Sequence, residues 1–229
     1  RIAGYHRLMS TYRLKNLLSP HSVALVGASS RHGSVGRAIL HNIRQSQFKG
    51  EFGLVNPRHA EIDGVETADT IAKLAFRPEL VVITAPARTI PGLIDEAGRC
   101  GAAGAVIVSA GLGHGRGSLA EATERAAQKY GMRLIGPNCL GIMMPGVSLN
   151  ASFSAHMPAA GNLALISQSG AIAAGMVDWA AQRAVGFSGI VSIGDQLDVG
   201  NRVAINEKNI GIGTRFDDAE LARIGIARA

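Results

Sequence analysis

The chain has 229 residues, 47% of them apolar and 17% charged, with a formal charge of +6, 29 glycines and 2 cysteines. That suits a soluble globular protein of one or two domains with room for a core, and it excludes disordered and disulfide-stapled classes. The basic residues are scattered rather than interleaved with aromatics, which fits an anionic metabolite at least as well as a nucleic acid.

Residues 1–8 precede Met9 and are left out of the fold assignment. From there, short β-branched runs alternate with amphipathic stretches. "SVALVG" (22–27), "EFGLVN" (51–56), "LVVITA" (79–84) and "AVIVSA" (105–110) read as buried parallel strands. Helices are expected near 35–46, 69–76, 88–100 and 118–131. Pro91 fits only a first helical turn, and Ser118-Leu-Ala-Glu121 is a capping box. "RLIG" (133–136) supplies a fifth strand. The alternation predicts an α/β fold, a Rossmann-like doubly wound parallel sheet over residues 15–144, with its crevice at the carboxyl ends of the strands. Residues 136–160 are rich in loop-forming residues and are expected as a connection. A second α/β unit, assigned to 145–229, has a strand at 162–167, a helix over about 169–184 and a strand at 188–193. It holds only two clear strands, and "NRVAINEKNIGIGTRFDDAELARIGIARA" (201–229) loses the pattern. Surface left apolar by a partial unit predicts a homodimer.

The loop after the first strand, "GASSRHGSVG" (27–36), is the main functional signal. Glycine-rich turns between a strand and a helix hold phosphates on backbone amides and the helix dipole. A Walker loop needs a Lys after its last glycine, yet Gly33 is followed by Ser34 and Val35. An NAD fingerprint needs an acid after the second strand for the ribose hydroxyl, and that strand ends in Asn56-Pro57-Arg58. NAD is disfavoured. Ser167-Gln168-Ser169-Gly170 sits between a strand and a helix start. Ser169 reads there as an N-cap, and the same amides read as an anion site.

"SVALVGAS…GSVG", "LVNPRH", "VVITAPA", "VIVSAGLG", "LIGPNCLGI", "LNASFS" and "LISQSGAIA" occur in the order found in the NDP-forming acyl-CoA synthetases, relatives of the succinyl-CoA synthetase α subunit. Over roughly residues 15–200 the chain resembles that family. The same module resembles the amino-terminal part of bacterial protein lysine acetyltransferases that carry a GNAT domain. The resemblance implies a CoA-binding Rossmann domain followed by a partial flavodoxin-like ligase domain, with coenzyme A or an acyl-CoA as ligand. It implies a CoA site from Gly27, Ser29, Gly33, Ser34, Val35, Gly36, Asn56, Arg58, Thr84, Pro86, Ser109, Ala110 and Gly111. It places an acyl region near Pro137, Asn138 and Cys139, and phosphate at Ser167, Gln168, Ser169 and Gly170. It also implies a nucleotide-grasp β-type subunit or domain as partner, or a GNAT domain under the alternative.

The family's nucleophilic histidine is not identified in this chain. His114, in "GLGHGRG", follows the fourth strand rather than closing the second domain, so it is rejected for that role. Asp195 and Asp198 resemble the family's loop after the second-domain strand, though lone acids there also suit turns. No catalytic residue is assigned. The expected function is the CoA-binding α-type part of an NDP-forming acyl-CoA synthetase; the alternative is a non-catalytic acyl-CoA sensor. The two cysteines lack metal or Cys-x-x-Cys spacing and no apolar run spans a membrane, so a cytoplasmic chain with no membrane, metal or nucleic-acid partner is expected.

Overall fold

The computed structural model describes residues 13–199. In chain order they form α1 (Leu14–Leu18), β1 (Ser22–Val26), α2 (Val35–Gln45), β2 (Glu51–Val55), β3 (Glu61–Ile62), β4 (Val65–Ala68), β5 (Leu80–Ile83), α3 (Ile90–Arg99), β6 (Gly104–Ile107), α4 (Leu119–Tyr130), β7 (Arg133–Ile135), β8 (Gly141–Met144), β9 (Leu149–Ser152), β10 (Ala160–Ser167), α5 (Gly170–Ala181) and β11 (Phe187–Ser192). The expected features of 201–229 and of the residues before Met9 lie outside the described residues.

A seven-stranded sheet has the order β3-β4-β2-β1-β5-β6-β7. β1 is paired in parallel by β2 and β5 on its two edges and is buried at every position, because Val23 and Leu25 pack into one apolar cluster and Ala24 and Val26 into the other. The chain passes from β1 to β2 on one side and later returns to β5 on the other. The carboxyl ends of β1 and β5 therefore flank the switch point where ligands enter such sheets. β6 and β7 extend the parallel set. The α/β Rossmann-like architecture is the one expected.

The helix ends follow the local chemistry. Ser34 caps α2 by accepting from Arg37 N at 3.3 Å. Ser118 accepts from Glu121 N at 3.2 Å, and the Glu121 carboxylate reaches back to Gly117 N at 2.6 Å. The box thus closes one residue earlier than its usual form.

Two expectations are corrected. The helix expected near 69–76 is a single 3₁₀ turn at Ile71–Lys73, preceded by the antiparallel β3–β4 hairpin. Asp63 and Gly64, at φ 48° and 79°, make its two-residue turn, and Pro78 keeps the preceding residue out of helical conformation. The connection expected over 136–160 holds the β8–β9 hairpin, whose residues are all buried. Burial on both faces removes the alternation that marks a strand in sequence. Residue 145 falls at the tip of this hairpin.

That hairpin belongs to a second, four-stranded sheet, β10-β11-β8-β9. One apolar cluster runs from Leu14, Ile39, Leu40 and Ile43 of α1 and α2 to Ile142, Leu149, Ala151 and Val191 of the second sheet. Asn42 on α2 adds a polar tie, its Nδ2 donating to Ser152 O and Ser154 O, each at 2.8 Å. Helix α5 covers the far face of the second sheet through Ala173, Val177 and Ala180.

Candidate functional site

The loop from β1 to α2 uses its three glycines in different ways. Gly27 has φ 88°, and a Cβ there would lie 2.8 Å from Ala85 N. A Cβ on Gly36 would lie 2.7 Å from Gly27 O and 3.0 Å from Thr84 Oγ1. Both positions let α2 and the β5 turn close on β1. Gly33 differs: its φ is 74°, and a Cβ there would meet nothing within 4 Å. That glycine faces open space rather than protein, and its positive φ favours a residue without a side chain.

Gly33, Ser34 and Val35 line a cavity of about 550 Å³ together with His32, Arg37, His41 and Phe153. Val35 and Phe153 each remain 40% exposed there, giving an apolar wall beside the basic groups. Arg37 is held by Asp63, Nε to Oδ2 at 2.9 Å. Ser29 Oγ accepts from Arg31 N at 3.1 Å, which shapes the loop's outer turn. Asn56 occupies the place where a dinucleotide site needs an acid. Its Nδ2 donates to Ala28 O at 2.7 Å and its Oδ1 accepts from Arg58 N at 2.8 Å. The side chain is committed to the loop's own backbone.

A line of contacts leads from this loop to the second sheet. Thr84 Oγ1 donates to Gly27 O at 2.9 Å, and Ser109 Oγ donates to Ala85 O at 2.6 Å. Asn138 N donates to Ser109 O at 3.1 Å. Leu140 N donates to Ser192 Oγ at 3.0 Å, and Leu140 packs against Gly170 at the start of α5. There Ser169 Oγ accepts from Ile172 N at 3.3 Å, and Ser167 Oγ accepts from Ser169 N at 3.1 Å. The amides of Gly170 and Ala171 belong to the first turn, which has no intrahelical acceptors. Gln168 is exposed in this turn.

The structure thus gathers Thr84, Ser109, Asn138 and the 167–170 turn along the carboxyl ends of the strands. Pro86, Ala110 and Gly111 are exposed in the loops after β5 and β6. Asn56, Arg58, Thr84, Pro86, Ser109, Ala110 and Gly111 do not line the cavity beside Gly33.

The three residues of the acyl region separate. Pro137 follows a cis peptide and is buried, and Asn138 is exposed at φ 57°. Cys139 points inward, its Sγ donating to Ile107 O at 3.3 Å, and burial pushes its thiol up to about 12. That thiol is a packing group, not a nucleophile. Residues that sequence reasoning passed over include Leu140, Ser192, Gly194 and Phe153. Gly194 is required by a contact that no sequence spacing shows, since a Cβ there would lie 2.1 Å from Pro137 O.

Residues 21–145, more than half of the chain, match the family model of a CoA binding domain. The chain belongs to the CoA-binding domain family. Residues 160–206 match a succinyl-CoA ligase like flavodoxin domain. Similar proteins include the ADP-forming acetate–CoA ligase of Methanocaldococcus jannaschii, 39% identical over 82% of this chain and 27% of that protein. The alpha subunit of the ADP-forming acetate–CoA ligase I of Pyrococcus furiosus is 33% identical over 81% of this chain and 42% of that subunit. A solved apo structure of a dinucleotide-forming acetyl-coenzyme A synthetase 1 from Ca. Korarchaeum cryptofilum superposes with TM-score 0.79 at 33% identity, covering 83% of this chain and 42% of that one. The CoA-binding chain therefore spans between about a quarter and under half the length of these relatives. Its resemblance to the α-type region of NDP-forming acyl-CoA synthetases stands, and these relatives lend no support to the acetyltransferase alternative. Among the described residues no helix is long and apolar enough to cross a membrane.

Proposed function

We propose that this chain is the CoA- and phosphate-binding portion of an NDP-forming acyl-CoA synthetase, which converts acyl-CoA, phosphate and a nucleoside diphosphate to acid, CoA and the triphosphate. The observation that carries the reading is the set of neighbouring strand ends, Gly27 bonded to Thr84, Ala85 to Ser109 and Ser109 to Asn138, with Leu140 facing Gly170 at the start of α5. An extended CoA thioester laid along it has its phosphates at Gly33–Gly36 and its acyl end by Asn138, next to the α5 N-terminus.

The chemistry follows from that placement. The first-turn amides of α5 and its dipole hold inorganic phosphate as an anion. A phosphate oxygen attacks the thioester carbonyl, the carbon–sulfur bond breaks, and CoA leaves as a thiolate that takes up a proton. The acyl phosphate then gives its phosphoryl group to a carrier and so to the diphosphate, leaving the free acid. A nucleotide-grasp partner chain or domain supplies the nucleotide site.

The reading is tested by expressing the whole gene product in which this sequence occurs and assaying ATP formation from acetyl-CoA, ADP and phosphate. Ser169→Asp is assayed beside it. ATP formation that falls with Ser169→Asp supports the proposal. A gene product that forms no ATP even with its nucleotide-grasp partner chain present, or one whose rate ignores this substitution, contradicts it.

A further inference from the structure

After β11 the chain turns back to the first sheet. Ile193 N donates to Ser167 O at 2.8 Å, which holds the end of β10 just before the 167–170 turn. The chain then runs along the segment that leads out of β7, the edge strand of the seven-stranded sheet. Asp195 N donates to Pro137 O at 2.9 Å, Leu197 N to Gly136 O at 3.0 Å and Val199 N to Leu134 O at 3.0 Å. Gly194 makes the crossing possible, since any side chain there would strike Pro137 O.

Besides these backbone bonds, the Asp198 carboxylate ties the strap to β7. Asp198 accepts from Arg133 Nε at 2.8 Å and Nη2 at 3.1 Å, and its Oδ2 also accepts from Leu134 N at 2.9 Å. The Arg133 side chain is only 9% exposed and that of Asp198 29%, so the pair is shielded from water and its bidentate geometry is retained. On the other side of the strap, Asn138 Nδ2 donates to Asp195 Oδ1 at 3.3 Å. One segment of chain therefore touches the strand end before α5, the loop that carries Asn138, and the edge of the CoA-binding sheet.

We infer that Asp198 is a positioning residue: by fastening the 193–199 strap to β7 it fixes the spacing between Asn138 and the N-terminus of α5. This rests on the reading of that N-terminus as the phosphate site. The glycine loop is at the centre of the first sheet, on β1, and the strap lies at its β7 edge. Loosening the strap therefore weakens phosphate binding and spares CoA binding. A residue that served general stability alone would affect both together.

The experiment is a phosphate titration of the 229-residue chain followed by NMR at the Gly170 and Ala171 amides, with CoA affinity measured calorimetrically in parallel. Asp198→Ala is expected to weaken phosphate about ten-fold, the order that residues acting on a site without touching its ligand produce, with CoA affinity changed less than about two-fold. Asp198→Asn keeps an oxygen for Leu134 N and preserves the fold. It recovers part of the loss, to about three-fold below the parent chain. Should Asp198→Ala not fold, Asp198→Asn alone carries the same comparison. A parent chain with no phosphate response overturns the proposed function and this inference with it. A parent response that Asp198→Ala or Asp198→Asn leaves unchanged, or equal losses of phosphate and CoA, overturns the inference alone.

Discussion

Gly170 closely faces Leu140 on the helix side of the second sheet: a Cβ on Gly170 would lie 3.2 Å from Leu140 Cβ and 3.6 Å from Leu140 N. The first turn of α5 and the loop after the cis Gly136–Pro137 peptide are therefore built against each other. Leu140 has little freedom to yield, because its N–H is tied to Ser192 Oγ at 3.0 Å. Gly170→Val adds branched bulk at this seam and should destabilise the chain by about 1–3 kcal/mol, as overpacking does. Urea unfolding measures that loss. An unchanged midpoint would mean that the seam is loose.

The two ends of the glycine loop give opposite signatures on substitution. Gly27→Ala meets Ala85 N at 2.8 Å and should cost stability whether or not a ligand is present. Gly33→Val meets no atom within 4 Å, so its cost is the left-handed φ of 74° together with the lost approach of a ligand. CoA affinity should fall about ten-fold or more at Gly33→Val, the order expected for unpaired charged donors. Calorimetry that finds Gly33→Val binding CoA as the parent chain does removes the loop from the site.

Ser169→Asp separates a helix cap from an anion site. Asp caps helices as well as Ser, so the bond now made to Ile172 N at 3.3 Å is retained in kind and stability should be kept. The new carboxylate occupies the place of the anion, so the amide shifts of Gly170 and Ala171 on phosphate titration should vanish. If those shifts persist with Asp at 169, the turn is a cap and nothing more.

Much of this was legible in the sequence, and the misses have physical causes. β1, β5 and β6 were readable because parallel strands buried on both faces need unbroken apolar runs, and β2 from its apolar end, the only part of it that is buried. The caps Ser118 and Ser169 announced their helices through residue type and spacing, whereas Ser34, implied only as a CoA-site residue, also caps α2. The β3–β4 hairpin was missed although Asp63-Gly64 is a turn pair, because its strands are only two and four residues long. The β8–β9 hairpin was hidden by Pro145 and Gly146 at its tip and by burial that erased its alternation. In the site, Ser167–Gly170 was readable from a strand–turn–helix pattern, whereas the Asp198–Arg133 pair joins residues 65 apart in the chain. Sequence spacing has no way to announce such a contact. Cys139 stands at a motif position that implied proximity to the site, and packing turns its thiol inward.

Cys139 also predicts a pH dependence. Desolvation raises its folded-state value to about 12, against about 8.5 for an unfolded thiol. Above the unfolded value the denatured chain releases a proton that the native chain keeps, so stability is full below about pH 8.5 and falls as pH rises toward 12. The slope contributed is about 1.4 kcal/mol per pH unit in that window. Cys139→Ala should flatten the alkaline decline of the urea midpoint by this amount, and a parallel decline in both chains would assign it to other groups.

Whether the glycine loop holds coenzyme A is tested most directly by calorimetric titration of this chain with CoA and, separately, with NAD. No carboxylate stands at the end of β2 to take a ribose hydroxyl. Asn56 stands there instead, and both ends of its side chain are occupied by Ala28 O and Arg58 N. The account predicts CoA binding at least about ten-fold tighter than NAD, the equivalent of one lost charged hydrogen bond. NAD binding equal to or tighter than CoA would contradict it.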